Sequence, residues 1–126
     1  LEYSSKNDIN IFFMGSGSNL LISDNGFNGI IISLKKTFKK MEFSNDGDII
    51  VESGVMLGSM VKEAIKRKLK GLESLVGVPG TLGGALYMNA GAYGTEISKY
   101  FISARLLDMN GDEKFLTNKD VNLIRF

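Results

Sequence analysis

The placement of glycine constrains this chain more than any other feature. Glycine fills 15 of 126 positions, about 12% against a usual ~7%, while proline occurs once. Seven of those glycines (Gly71, Gly77, Gly80, Gly83, Gly84, Gly91, Gly94) fall between positions 71 and 94, and four more between 15 and 29. Such backbone comes close to something, whether another segment or a flat ligand. The rest is well supplied with Ile, Leu and Phe, and 44% of the chain is apolar, so this is a folding composition rather than a disordered one. The length fits one domain.

Several chemistries are excluded. Without Cys or His there is no thiol nucleophile, disulfide framework, histidine-based triad or zinc finger, and no metal site is expected. Fifteen basic against fourteen acidic side chains leave +1 net, which gives no electrostatic footprint for nucleic acid or an anionic membrane. No apolar run reaches about 18 residues, so no membrane partner is expected either. The chain opens on Leu1 and stops at Phe126 within an apolar run, and it reads as a piece of a longer protein.

The pattern is mixed α+β, with strands dominant. Residues 9–14 read as a buried strand entering Gly15-Ser16-Gly17-Ser18-Asn19, with the apolar run Leu20-Leu21-Ile22 beyond it. The β-branched run 30–34 is a second strand, and the runs 38–43 and 49–52 flank Asn45-Asp46-Gly47-Asp48 as a hairpin. Leu57, Met60, Val61, Ala64, Ile65 and Leu69 recur at helical spacing, which predicts a helix over 57–69 ended by Gly71. Residues 100–108 and 113–116 form a further hairpin about Asn110-Gly111, and Thr117 or Asn118 is placed to cap a short helix from Lys119.

Two segments could carry chemistry. In Gly15-Ser16-Gly17-Ser18-Asn19, successive N–H groups can converge into an anion nest, although a plain strand-to-strand turn explains the same residues. A P-loop is excluded because no Gly-Lys-Ser/Thr follows, and Leu20 stands where the dinucleotide fingerprint needs its third glycine. In the second segment, Pro79-Gly80 sets a turn and Thr81 is placed to cap a short helix holding Gly83 and Gly84. Glycines weaken a helix by about 1 kcal/mol each relative to Ala, and close packing would explain one of them. Seven in 24 residues, with Asn89 and Tyr93 among them, point to a ligand wall, and a helix N-terminus there would favour a diphosphate.

Residues 15–22, with Gly26-Phe27-Asn28-Gly29-Ile30, then Gly77-Val78-Pro79-Gly80-Thr81 through Asn89-Ala90-Gly91-Ala92-Tyr93-Gly94, resemble the UDP-N-acetylenolpyruvoylglucosamine reductase family of flavoenzymes over essentially the whole chain. The resemblance implies an FAD-binding domain of the vanillyl-alcohol oxidase and p-cresol methylhydroxylase type, α+β and partial. Residues 1–126 would lack both ends of it and the substrate domain. Gly15, Ser16, Gly17, Ser18, Asn19 and Leu20 would then serve the FAD diphosphate. Pro79, Gly80, Thr81, Gly83, Gly84, Asn89, Gly91, Ala92, Tyr93 and Gly94 would line the cofactor, with Glu96 close by.

The likeness also implies an activity. NADPH would reduce the flavin, and the reduced flavin would pass hydride to the enolpyruvyl ether of a UDP-sugar. The resulting carbanion calls for a cation, a role that falls to Arg125, although Ile124 stands where the family has Tyr. The proton-donating Ser and a Glu would follow position 126. The expected setting is cytoplasmic peptidoglycan-precursor synthesis, with a small-molecule substrate and no obligate protein partner. Two alternatives stay open at this point: another oxidase or dehydrogenase on the same fold, or a nucleotide-binding module without catalysis.

Overall fold

The computed structural model describes residues 1–120. Helix α1 (Glu2–Lys6) leads into β1 (Ile11–Met14), which pairs in parallel with β2 (Ile30–Ser33), Ile11 opposite Ile30. The antiparallel hairpin of β3 (Met41–Phe43) and β4 (Ile49–Val51) follows, then α2 (Leu57–Lys66), a 3-10 turn at Glu73–Leu75 and the short α3 (Leu82–Tyr87). A two-residue hairpin joins β5 (Gly91–Ala92) to β6 (Thr95–Glu96), and a second 3-10 turn spans Ile97–Tyr100. The last hairpin is β7 (Ser103–Leu107) with β8 (Glu113–Thr117). The architecture is α+β, as the sequence pattern predicts.

The core lies in the middle of the chain. Leu57, Met60, Val61 and Ala64 form the buried stripe of α2. They meet Val55, Leu75, Leu82, Ala85 and Ile97, and the β3–β4 hairpin adds Met41, Ile49 and Val51 from outside. Ile65, expected on that stripe, sits at its margin and is 44% exposed. The run 9–14 forms the expected strand but is not buried: Phe12 and Phe13 of β1 and Ile30 and Ile31 of β2 are all 36% or more exposed. A two-stranded sheet without covering layers leaves both of its faces open. Leu20-Leu21-Ile22 is irregular and exposed.

The turns differ in detail from expectation. Both longer hairpins close through a residue in the left-handed region, Gly47 (φ +91°) and Gly111 (φ +91°), with side chains pinning the loop. The Ser44 Oγ accepts the Asp48 N–H, and the Asp108 carboxylate accepts those of Asn110 and Asp112. Together with Lys114 at 2.9 Å, these bonds hold the Asp108 carboxyl below its ordinary value. Thr117 Oγ1 donates to Asp120 and accepts the Lys119 N–H, and the short helix expected from Lys119 falls largely outside the described residues.

Helix α2 stops five residues before Gly71. The Leu69 N–H reaches the Ala64 carbonyl and the Lys68 N–H reaches that of Ile65, a Schellman closure with Lys68 at φ +61°. Gly71 instead lies under Tyr100, whose ring would meet a Cβ there at 2.7 Å. A lysine in the left-handed region costs roughly 1 kcal/mol that glycine would avoid. Lys68→Gly is therefore expected to stabilise the protein by about 0.5–1 kcal/mol, read as a raised urea midpoint with an unchanged slope.

Candidate functional site

The structure brings the two glycine-rich segments together. A Cβ on Gly15 would run into Thr81 Oγ1, and one on Gly80 would lie 3.2 Å from Ser18 Oγ. The end of β1 therefore rests directly on the turn that opens α3. Thr81 is 2% exposed, and its Oγ1 accepts the Gly84 N–H as an N-cap, the role the sequence assigns it.

Behind Thr81, three backbone bonds fasten the second segment to the residues that start α2. Leu57 N–H donates to Gly80 O (3.0 Å), Leu82 N–H to Val55 O (2.8 Å) and Gly83 N–H to Ser53 O (2.9 Å). This clasp bears on one expectation. The N–H groups of Leu82, Gly83 and Gly84 at the start of α3 are all satisfied by protein acceptors, which leaves fewer donors there for a diphosphate.

The first loop behaves differently. Among the described residues, the N–H groups of Ser16, Gly17, Ser18, Asn19 and Leu20 donate to no protein acceptor, and Gly17 sits at φ +78°. Gly17, Ser18 and Asn19 are exposed, and their small side chains leave the backbone accessible. A run of unpaired N–H groups around a left-handed residue is what an anion nest requires. The residues present fit a dinucleotide diphosphate at this loop better than at α3.

The glycines of the second segment divide by cause. Gly83 is pressed against Ser53, with Cβ-to-Cβ space of only 2.9 Å, and Gly91 against Thr95 O at 2.7 Å. Those two, like Gly15, are required by packing within the chain, so close packing accounts for more of the glycine excess than the sequence pattern implies. Gly94 meets nothing within 4 Å, and Gly84 is exposed beside Thr81. Pro79 is exposed and Ala92 half-buried.

Asn89 and Tyr93 both occupy the left-handed region, at φ +43° and +52°. Asn89 is 1% exposed: its Nδ2 donates to Glu96 Oε2 (3.0 Å) and its Oδ1 accepts the Ser98 N–H (3.2 Å). Its side chain is thus engaged inside the fold. Tyr93 is 95% exposed at the tip of the β5–β6 hairpin, beside a cleft of about 370 Å³ that Glu96 and Lys99 also line. Sequence reasoning missed Ser53, the backing for Gly83, and Lys99, whose Nζ donates to Gly94 O (2.8 Å). Neither residue stands in a motif that could have marked it. Arg125, the expected carbanion stabiliser, lies outside the described residues. Among those residues, no helix is long and apolar enough to cross a membrane.

The family described as "FAD binding domain" matches residues 1–116, so the chain belongs to the FAD-binding domain family. Its nearer likeness is to proteins named UDP-N-acetylenolpyruvoylglucosamine reductase. That of Clostridium tetani is 44% identical over 98% of this chain and 39% of its own length. That of Alkaliphilus oremlandii is 38% identical over 98% of this chain and 40% of its own. The crystal structure of the Thermus caldophilus enzyme, MurB, superposes with a TM-score of 0.73 at 26% identity, over 98% of this chain and 45% of that one. The chain spans about 40% of the length of the curated relatives it matches.

Because Thr81 is buried, Gly15→Ala cannot be absorbed by a simple rotation. It is expected to destabilise the protein by about 1–3 kcal/mol. Thr81→Ala removes the opposing oxygen along with the cap, so the double variant should cost clearly less than the two single costs added. Denaturant titration of the four proteins measures this.

Proposed function

We propose that this chain is the FAD-binding part of a reductase of peptidoglycan-precursor synthesis, which transfers hydride from NADPH to the enolpyruvyl group of UDP-N-acetylglucosamine enolpyruvate. The observation that carries the reading is the seating of Gly15 on Thr81, which joins a loop of unpaired N–H groups to a glycine-lined wall within a chain of the FAD-binding family. FAD, when bound, supplies two-electron hydride chemistry that no side chain here can provide. Residues 1–126 are read as one domain unit, working in the cytoplasm on a small-molecule substrate.

The residues divide the work. The backbone of Ser16, Gly17, Ser18, Asn19 and Leu20 holds the diphosphate, with Gly15 bringing that loop onto the wall. Pro79, Gly80, Thr81, Gly83 and Gly84 form the wall itself, rigid because of the clasp behind it. Gly91, Ala92, Tyr93 and Gly94 form its far end. Asn89 belongs to the site as a support, since its amide is turned into the fold. Arg125 stabilises the negative charge that develops on the substrate.

The full-length protein should purify yellow with flavin absorbance bands, and it should oxidise NADPH only when the enolpyruvyl sugar nucleotide is present. A colourless protein that takes up no FAD overturns the reading. NADPH oxidation indifferent to that substrate overturns the assigned activity and leaves the cofactor. Gly17→Asp places a carboxylate beside the diphosphate on a strained backbone, and it should weaken FAD retention by about tenfold or more, measured by ultrafiltration of bound flavin.

A further inference from the structure

The overall charge of +1 conceals an uneven distribution. Of the six residues 35–40, four are lysines, Lys35, Lys36, Lys39 and Lys40, and all four are exposed. Among the described residues none of them forms an ion pair, although Lys6, Lys66, Arg67 and Lys114 each do. Phe38 stands between the two lysine pairs. It lies in the left-handed region at φ +52° and is 55% exposed. A bulky residue at positive φ is an outlier that its surroundings must hold in place, and here the ring recovers little burial in return.

Those surroundings are specific. The Leu34 O accepts the Thr37 N–H (3.1 Å) to close the turn before Phe38, and the Phe38 O accepts the Gly54 N–H (2.9 Å). Beyond it Lys40 and Glu52 pair twice: the Glu52 N–H donates to Lys40 O (2.9 Å) and the Lys40 N–H to Glu52 Oε2 (2.8 Å). Gly54 is buried, and a Cβ there would run into the Leu34 and Thr37 carbonyls. Gly54 lies between Ser53 and Val55 of the clasp, so the lysine loop is tied to the same backbone that carries the core. The loop is a fixed platform that presents its charge and its aromatic ring together.

We propose that residues 35–40 form a peripheral attachment site for a bilayer surface rich in anionic headgroups. The four ammonium groups meet headgroup phosphates while the Phe38 ring enters the interface between them, the pairing of basic and apolar residues that interfacial segments use. Charge complementarity, rather than the bare ring, names the partner, because clustered ammonium groups are costly to cover with anything but negative charge. Single-stranded nucleic acid is the other polyanion that lysines and a ring could take, but such sites combine a groove with successive stacking rings. Phe38 has no such neighbour: among the described residues the stacked pair is Phe12 with Phe27. Neither the cleft at Glu96 nor the apolar one between Phe12 and Phe27 includes a residue of this loop. Attachment here is independent of the FAD reading.

The test uses full-length protein, in which any further segment that covers the loop shows itself as a loss of binding. The readout is co-sedimentation with vesicles of phosphatidylcholine alone or of equimolar phosphatidylcholine and phosphatidylglycerol. Binding is expected to the mixed vesicles only, and added salt should release it. Lys35→Gln combined with Lys39→Gln should weaken it by about twenty-fold, since each lysine near such a surface is worth roughly fivefold. Lys62→Gln with Lys70→Gln removes the same charge from exposed positions elsewhere and should leave binding unchanged. Phe38→Gly relieves the left-handed backbone, so it should weaken binding by about tenfold, the order of burying one ring, without lowering the urea midpoint. No binding by the wild-type protein, equal binding to both vesicles, or equal losses from the two lysine pairs overturns the proposal. So does capture of a single-stranded oligonucleotide in preference to the mixed vesicles. Each of these outcomes leaves the FAD reading intact, because flavin retention is measured separately on the same preparations.

Discussion

The clasp between residues 53–57 and 80–83 is the constraint on which the rest of the structure depends. It is not an extended sheet, only three backbone hydrogen bonds and the pairing of Met56 with Thr81, yet it joins the start of α2 to the start of α3. Each bond satisfies a helix-end or loop donor that would otherwise need water. The buried side chains that flank it, Val55, Leu57 and Leu82, are core residues, so the clasp and the core form as one unit. Gly83 exists at this junction because Ser53 leaves no room for a Cβ. The second glycine-rich segment is therefore rigid for reasons internal to the chain.

Much of this was legible from the sequence, for identifiable reasons. Leu57, Met60, Val61 and Ala64 recur at helical spacing, and burial of a single stripe is what that spacing records. The Asn- and Asp-containing turns announced both long hairpins, although the left-handed residue in each is the following glycine. The helix end was misplaced because Lys68 adopts a conformation its side chain disfavours, and tertiary context decided the matter over local preference. Glycine density pointed to backbone in close approach but could not say to what. Gly15, Gly83 and Gly91 answer to neighbouring protein atoms, whereas Gly17 answers to the turn of the nest. In a one-dimensional sequence, close approach to protein and close approach to a ligand look alike.

The parallel pair β1–β2 shows a related ambiguity. Phe12, Phe13, Ile30 and Ile31 have the composition of a covered sheet, yet all remain partly exposed, and Leu21 beside them is fully so. An apolar run records that burial is favourable without recording what supplies it. Since the chain spans about 40% of its relatives' length, bare apolar strands here do not argue against a core role in the longer protein. The nest stands at the end of this exposed pair, and Gly15 seated on Thr81 is its link to the well-packed half. The two glycine-rich segments thus differ in what holds them, one by core packing and the other by close approach at Gly15 and Gly80.

That difference bears on how cofactor affinity and stability are coupled. Residues of the wall are shared with the core, so changes at Thr81 or Leu82 act first on folding and only then on any ligand. Residues of the nest touch little else, and changes at Gly17 or Ser18 leave the core contacts in place. Asn89 stands between these cases. Its backbone closes α3 and its side chain spans the hairpin, so its removal disturbs fold and site together. The size of a single substitution at Asn89 therefore says little about function.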